Sequence, residues 1–446
     1  MKRFILNELN KWKESEYRKP LILRGARQVG KTWAMKEFGK SFDSVAYFNF
    51  DENKEYNQFF ETTKDVFRII QNLSLASGQK INKGTLIIFD EIQECNDALN
   101  ALKYFCENAA EYYVICAGSL LGLTLSKGFP VGKVDFIDMG PMTFSEFLIA
   151  NGDENLYEYM SATDHICNIP DAFYNPLCEK LKMYFITGGM PEPVYLWTQE
   201  RDIELVDRAL NGIIGSYEKD FGKHHNDFKD DFARYDVQKI TLIWNSLPAQ
   251  LSNEKKKFTY SKVRQGARAR EYESNLQWLV NADLVKKIYK ISKPALPLAA
   301  YEEGEFFKLY HIDVGLLRSQ ARLSYRAFTE GDRLFKEFKG ALSENFVMQS
   351  LIRLYGANPH YWANDKYEVD FIVQSDNDII PIEVKSGKSV SSPSIVEYKK
   401  MYDGETPFIV RYSLKNLTLD GNVLNIPLFM IDETKRLIAM AKEIVK

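Results

Sequence analysis

The chain has 446 residues, 45% hydrophobic and 27% charged, with a formal net charge of −3. Such a balance belongs to a folded protein of two to four domains and excludes a global basic field, so any nucleic-acid contact must come from a local patch. No apolar run approaches the length of a membrane span, and Met1-Lys2-Arg3-Phe4-Ile5-Leu6-Asn7-Glu8 turns polar too early for a secretory h-region; a cytoplasmic protein without a membrane partner is expected. Five cysteines with no C-x-x-C spacing read as reduced thiols.

Phe4, Ile5, Leu9 and Trp12 fall at helical spacing and predict an amphipathic helix, followed by a buried strand at Leu21-Ile22-Leu23. Gly25-Ala26-Arg27-Gln28-Val29-Gly30-Lys31-Thr32 then satisfies G-x-x-x-x-G-K-[ST] in full, with a predicted helix through Phe38 behind it. The glycines let the backbone curl so that its N–H groups face anionic oxygens, and the helix presents its positive end to the same place. The spacing predicts an ATP cradle, with Lys31 reaching the β- and γ-phosphates and Thr32 a Mg²⁺ ligand. A strand is expected at 44–50, and another at Thr85-Leu86-Ile87-Ile88-Phe89-Asp90-Glu91, which delivers two carboxylates at its C-terminal end. There Asp90 would hold Mg²⁺ and Glu91 would polarise the attacking water. Residues 112–119 read as a further buried strand ending in Ser119, either a sensor of the γ-phosphate or part of a Gly-Ser turn. A last strand is expected at 134–139, then helical material from Pro141 with Thr143 or Ser145 as its cap. Strands alternating with helices give an α/β, doubly wound parallel sheet.

Gly25 to Thr32, Phe89 to Gln93, Ala117-Gly118-Ser119, Gly132-Lys133, Pro141 to Phe147 and Gly188-Gly189-Met190-Pro191-Glu192 together resemble the AAA-type, STAND-related prokaryotic ATPases. Members often carry a C-terminal domain of unknown function with a winged helix and a nuclease-like fold. The resemblance implies a P-loop ATPase acting as a switch or motor; Arg27, Arg201 and Arg208 are the candidates for an arginine finger, and the oligomeric state stays open.

Beyond residue 200 the phosphate-site pattern stops. Residues 258–288 read as a short helix, a turn at Gly266, a longer helix through Leu279 and a hairpin from Leu284, the order of a winged helix. Between 254 and 270, Lys255, Lys256, Lys257, Lys262, Arg264, Arg268 and Arg270 stand against Glu254 alone. That stripe is either a phosphate-neutralising surface for DNA or a solvated or interdomain face. His224-His225 near Asp227 reads as a polar loop before it reads as a metal site.

In the last third, Val369 to Lys385 reads as two strands around Asp376-Asn377. A two-residue turn there sets Ser375 opposite Asp378 and Asp370 opposite Glu383, with Lys385 on the same face. Two carboxylates so placed repel unless a cation lies between them. Asp370, Glu383 and Lys385 resemble the PD-(D/E)XK nuclease pattern, and the resemblance adds Glu344 from the preceding helix. Glu344, Asp370 and Glu383 would then hold Mg²⁺, and Lys385 would orient the attacking water. The expected organisation is a P-loop ATPase domain with a helical lid over 1–200, a helical and winged-helix domain over 201–325, and a restriction-endonuclease-like α/β domain over 326–446. Three readings stay open: an ATP-gated DNA nuclease, a nucleotide switch whose C-terminal fold is catalytically silent and docks DNA or a protein, or a purely structural role, which requires that ATP not bind.

Overall fold

The computed structural model describes residues 1–118, 132–222, 236–253, 256–329, 336–387, 393–402, 406 and 408–445. They form two compact units: Lys2–Gly140 with Asn281–Asp283, and Pro141–Val280 with Leu284–Lys446 and Met1. The division therefore falls at Gly140, where the sequence suggested residue 200, and the segments on either side of 325 share one unit.

The first unit is a five-stranded sheet in the order β2-β3-β4-β1-β5, parallel throughout. Its strands are β1 (Leu21–Arg24), β2 (Ser44–Asn49), β3 (Thr85–Asp90), β4 (Tyr113–Ala117) and β5 (Asp135–Asp138). All six residues of β3 are buried, as a parallel strand covered on both faces requires. Helix α1 (Ile5–Glu14) buries Ile5, Leu9 and Trp12, the apolar stripe visible in the sequence. Helices α2 (Lys31–Gly39), α3 (Val66–Ser77) and α4 (Asn96–Asn108) complete the layers; Phe48, Phe60, Ile69, Phe89, Leu102 and Phe105 belong to one core. The ends of β1 and β3 point the same way, which brings the loop after Arg24 and the carboxylates after Phe89 to one edge.

In the second unit, α5 (Phe144–Ala150) begins with a capping box: the Thr143 side chain accepts the Glu146 N–H, and Glu146 accepts the Thr143 N–H. Its Phe144 and Phe147 pack on Tyr184 of α6 (Asp171–Thr187), which in turn meets Phe346 of α12 (Lys336–Tyr355). Between them in the chain come α7 (Ile203–Asp220), α8 (Val237–Leu251), α9 (Tyr260–Val263), α10 (Ala269–Asn281) and α11 (Val314–Gln320). The Gly188-Gly189-Met190-Pro191 motif lies in this unit. The Asp313 carboxylate, capping α11, accepts the N–H groups of Gly189 (2.7 Å), Gly315 (2.9 Å) and Leu316 (3.0 Å). Gly188 sits at φ 67° with no room for a side chain, since a Cβ there would lie 2.1 Å from Asp313 Oδ1.

An eight-stranded mixed sheet runs β12-β13-β11-β10-β9-β8-β6-β7. It comprises β6 (Val285–Ile291), β7 (Glu302–His311), β8 (His360–Ala363), β9 (Glu368–Ser375), β10 (Asp378–Val384), β11 (Ile409–Ser413), β12 (Thr418–Asp420) and β13 (Val423–Pro427). The hairpin β6–β7 is not a separate wing: Lys290 and Ile291 pair in parallel with Tyr361 and Trp362, so middle and C-terminal segments share a sheet. Leu342, Phe346 and Val347 of α12 join Phe371, Ile380 and Ile382 in a common core. Helix α13 (Thr434–Val445) closes the chain with Leu437, Ile438 and Ala441 buried.

Candidate functional site

At the end of β1 the chain turns through Gly25 (φ 145°) and Gly30 (φ 97°), conformations L side chains avoid, and enters α2 at Lys31. A Cβ on Gly25 would lie 2.0 Å from the Met139 carbonyl oxygen, so the close approach of β5's end requires glycine here. Lys31, 7% exposed, is folded back over the loop: its Nζ donates to the carbonyls of Gly25 (2.8 Å) and Ala26 (2.7 Å). Burial lowers its pKa to about 8, with Glu91 and Asp90 pulling the other way. Ala26 and Val29 are buried, Arg27 half-buried and Gln28 exposed with φ 68°.

The β3 carboxylates meet this loop. Asp90 Oδ2 accepts from Thr32 Oγ1 (2.7 Å) and from the Tyr47 hydroxyl (2.8 Å), while Oδ1 accepts the Glu91 N–H (3.1 Å). Glu91 leaves the strand at φ 50° and its carboxylate accepts from Gln93 Nε2 (2.6 Å). Gly25, Lys31, Thr32, Asp90 and Glu91 are thus brought to one edge of one sheet. Ser119 lies outside the described residues, as do His224, His225 and Asp227.

In the second unit, the β9–β10 pairs run from Ser375/Asp378 to Phe371/Ile382, the register read from the sequence. Beyond the last pair the Asp370 carboxylate accepts the Val384 N–H at 2.8 Å. The other members of the expected metal set have partners of their own. Glu383 pairs with Lys385 (Nζ–Oε1 2.8 Å) and faces Arg411 of β11 (3.8 Å). Glu344 instead accepts from Lys256 Nζ and from the Tyr310 hydroxyl (3.2 Å). Lys308, fully buried, donates to Glu368. Among the described residues no group of three His, Cys, Asp or Glu side chains is placed to hold a metal ion. Charges inside this network decide its protonation. Burial and Glu344 push Asp370 up to about 7, against the pull of Lys308 and Lys256. Burial would raise Glu344 too, but Lys256 and Lys308 outweigh it and hold Glu344 below its ordinary value.

Residues 17–148 match a family described as an AAA domain. The first unit is similar in sequence to AAA domains. Two further families match beyond it, both described as domains of unknown function: DUF8612 over 178–327 and DUF4143 over 339–429. No curated protein matches. Among solved structures, PCH-2 of C. elegans aligns at 13% identity over 46% of this chain and 66% of its own, with a TM-score of 0.27. The Aeropyrum pernix ORC1 protein, solved in complex with DNA, aligns at 11% identity over 72% and 91%, with a TM-score of 0.24. The chain thus spans just under two thirds of the first of these. At such scores neither alignment adds to what the coordinates say about the fold. No helix among the described residues is long and apolar enough to cross a membrane.

The basic stretch is divided by the fold. Lys262, Arg264, Arg268 and Arg270 are exposed along α9, the Gly266 turn (φ 80°) and α10. Lys256 turns inward to Glu344, and Lys257 lies over the Phe306 ring at 3.8 Å. Lys255 and Glu254 lie outside the described residues. Sequence reading also missed Arg3, 5% exposed, whose guanidinium donates to the carbonyls of Val29 (2.8 Å) and Gly140 (2.7 Å) and so pins the phosphate-loop backbone. Tyr47, Lys308, Tyr310 and Glu368 were missed as well. For Lys308 a signal existed: a charged residue alternating with Phe306 and Tyr310 on one face of a strand must be either solvated or paired.

Proposed function

We propose that the first unit binds ATP with Mg²⁺ and hydrolyses it. The observation that carries this reading is the state of Lys31: a buried ammonium held by two neutral carbonyls of its own loop, which an anionic phosphate oxygen would displace as the stronger acceptor. The residues fit the metal: Thr32 and Asp90 offer hard oxygen donors already in contact at 2.7 Å. Bound Mg²⁺ would supply neutralisation of charge on the phosphates. The chain's own groups do the rest. Backbone N–H groups from Ala26 to Gly30, with the start of α2, receive the phosphates, Lys31 follows the terminal one, and Glu91 accepts a proton from the attacking water once Gln93 releases it. Titration calorimetry with ATP and Mg²⁺, beside Lys31→Ala and Glu91→Gln, tests this. Lys31→Ala is expected to abolish binding and Glu91→Gln to retain binding while losing turnover; equal affinity in wild type and Lys31→Ala would refute it.

For the second unit we favour the non-cleaving alternative, a segment that docks nucleic acid under the control of the nucleotide state. The four exposed cations along α9, the Gly266 turn and α10 support docking. Of the carboxylates that a nuclease would need, Glu344 is engaged by Lys256 and Asp370 accepts the Val384 N–H. Duplex-oligonucleotide anisotropy across salt concentrations checks this. Arg268→Ala with Arg270→Ala is expected to lower the salt slope by about two, and an unchanged slope would remove the DNA reading.

A further inference from the structure

We infer that Lys256 and Lys308 are resident counter-ions of the carboxylates Glu344, Glu368 and Asp370, and that Lys256 keeps divalent cations out of this centre. The inference rests on the reading of the second unit as non-cleaving and gives it a cause.

Three observations carry it. Lys308 Nζ is wholly buried and donates to Glu368; a buried ammonium is tolerated only against anionic partners. Lys256 brings a second ammonium from the segment leading into α9, its side chain 14% exposed, onto a Glu344 side chain that is 6% exposed. The remaining Glu344 oxygen accepts the Tyr310 hydroxyl, and one Asp370 oxygen accepts the Val384 N–H. Both Glu344 oxygens, one oxygen of Asp370 and one of Glu368 therefore already have a donor from the chain. A divalent ion needs one or two carboxylates with freedom to take up its geometry and water. Against it stands an ammonium tethered at effectively high local concentration, which must first be expelled from a site of low dielectric.

Lys256 and Lys308 differ in one respect that makes the claim testable. Lys308 sits inside β7, while Lys256 precedes α9 and can be replaced without breaking a strand. Binding of Mn²⁺ to the full chain, followed by electron paramagnetic resonance without nucleotide, would be compared in wild type, Lys256→Met, Lys256→Arg and Lys256→Met/Asp370→Asn. Wild type and Lys256→Arg are expected to show no Mn²⁺ binding that Asp370→Asn removes. Lys256→Met is expected to gain one such site, lost again in the double variant. Near-UV circular dichroism establishes that Lys256→Met is folded; should it not be, Lys256→Gln takes its place. Asp370-dependent Mn²⁺ binding in wild type, or none in a folded Lys256→Met or Lys256→Gln, would overturn the inference. Plasmid nicking assayed in parallel separates the two levels: Mg²⁺-dependent nicking by wild type, lost in Lys385→Ala, would sink the non-cleaving reading itself, whereas Mn²⁺ binding without nicking sinks only the role given to Lys256.

Discussion

Each unit contains a buried lysine held by oxygen acceptors, and the nature of those acceptors separates the two centres. In the first, Lys31 lies between the neutral carbonyls of Gly25 and Ala26, its pKa depressed by burial. In the second, Lys308 faces Glu368, with Glu344 and Asp370 nearby; burial alone would depress it, yet those carboxylates hold it above its ordinary value. A neutral acceptor yields to an incoming phosphate; a carboxylate does not. On the proposed reading the first arrangement is open to a ligand and the second is held by its own lysines, although both segments carry motifs associated with metal-dependent phosphate chemistry.

The largest expected effect breaks the first half of that contrast. Lys31→Ala should lower ATP turnover by on the order of 10²- to 10³-fold while leaving the thermal midpoint of unfolding nearly unchanged, because the two carbonyls it leaves can take water. Steady-state phosphate release beside differential scanning fluorimetry checks both. Lys308→Met should do the reverse. Removing the wholly buried ammonium leaves Glu368, its side chain 24% exposed, uncompensated and costs up to about 3 kcal/mol, read as a lower midpoint in chemical denaturation, with nucleotide binding retained. If Lys308→Met were neutral, the view that its charge is required inside the fold would fall.

What the sequence disclosed follows the same divide. The turn at 25–32 was legible because its signature is contiguous: two glycines, a lysine and a threonine between a strand and a helix. The register of β9 and β10 was legible too, since a two-residue turn fixes every pair behind it; Asp376 takes φ 55° as that turn demands. The fate of Lys256 was not. Lys255-Lys256-Lys257 is uniform as a string, and only the placement of Glu344, 88 residues later, turns one of the three inward. The helices after Gly140 misled for a related reason. Phe144, Phe147 and Tyr184 read as lid material continuing the ATPase, yet their partner Phe346 lies in α12, and no local pattern announces a contact that distant. The ends of β6 and β8 meet at Lys290/Tyr361 through the same kind of long-range pairing.

A pH experiment sharpens the contrast at a smaller scale. His311 at the end of β7 is fully buried against Trp244 (4.7 Å), its Nδ1 accepts the Asp313 N–H, and burial lowers its pKa from 6.5 to about 3. A base with a depressed folded-state pKa contributes stability that is complete above the unfolded value of 6.5 and is lost as pH falls toward 3. The stability difference between wild type and His311→Gln should therefore move against wild type by roughly 2–3 kcal/mol between pH 7 and pH 4, measured by urea unfolding at each pH. Parallel curves would show that His311 is not held neutral by its surroundings.

The smallest expected effect concerns Tyr47, whose hydroxyl shares Asp90 Oδ2 with Thr32. Asp90 is 3% exposed, and an ionised carboxylate offers about four acceptor positions, so removing one donor leaves it with the Thr32 hydroxyl and the Glu91 N–H. Tyr47→Phe should thus forfeit about 1 kcal/mol of positioning, a roughly fivefold rise in the Mg²⁺ concentration needed for half-maximal turnover, with nucleotide affinity in EDTA unaltered. Burial and the Asp90 charge push the phenol well above its ordinary value, so it remains a protonated donor across the working range. The ratio of wild-type to Tyr47→Phe turnover should accordingly stay flat from neutral to mildly alkaline pH. A ratio that changes across that range would instead make Tyr47 a proton carrier, and the first centre would then depend on a titrating group outside the loop and the β3 carboxylates.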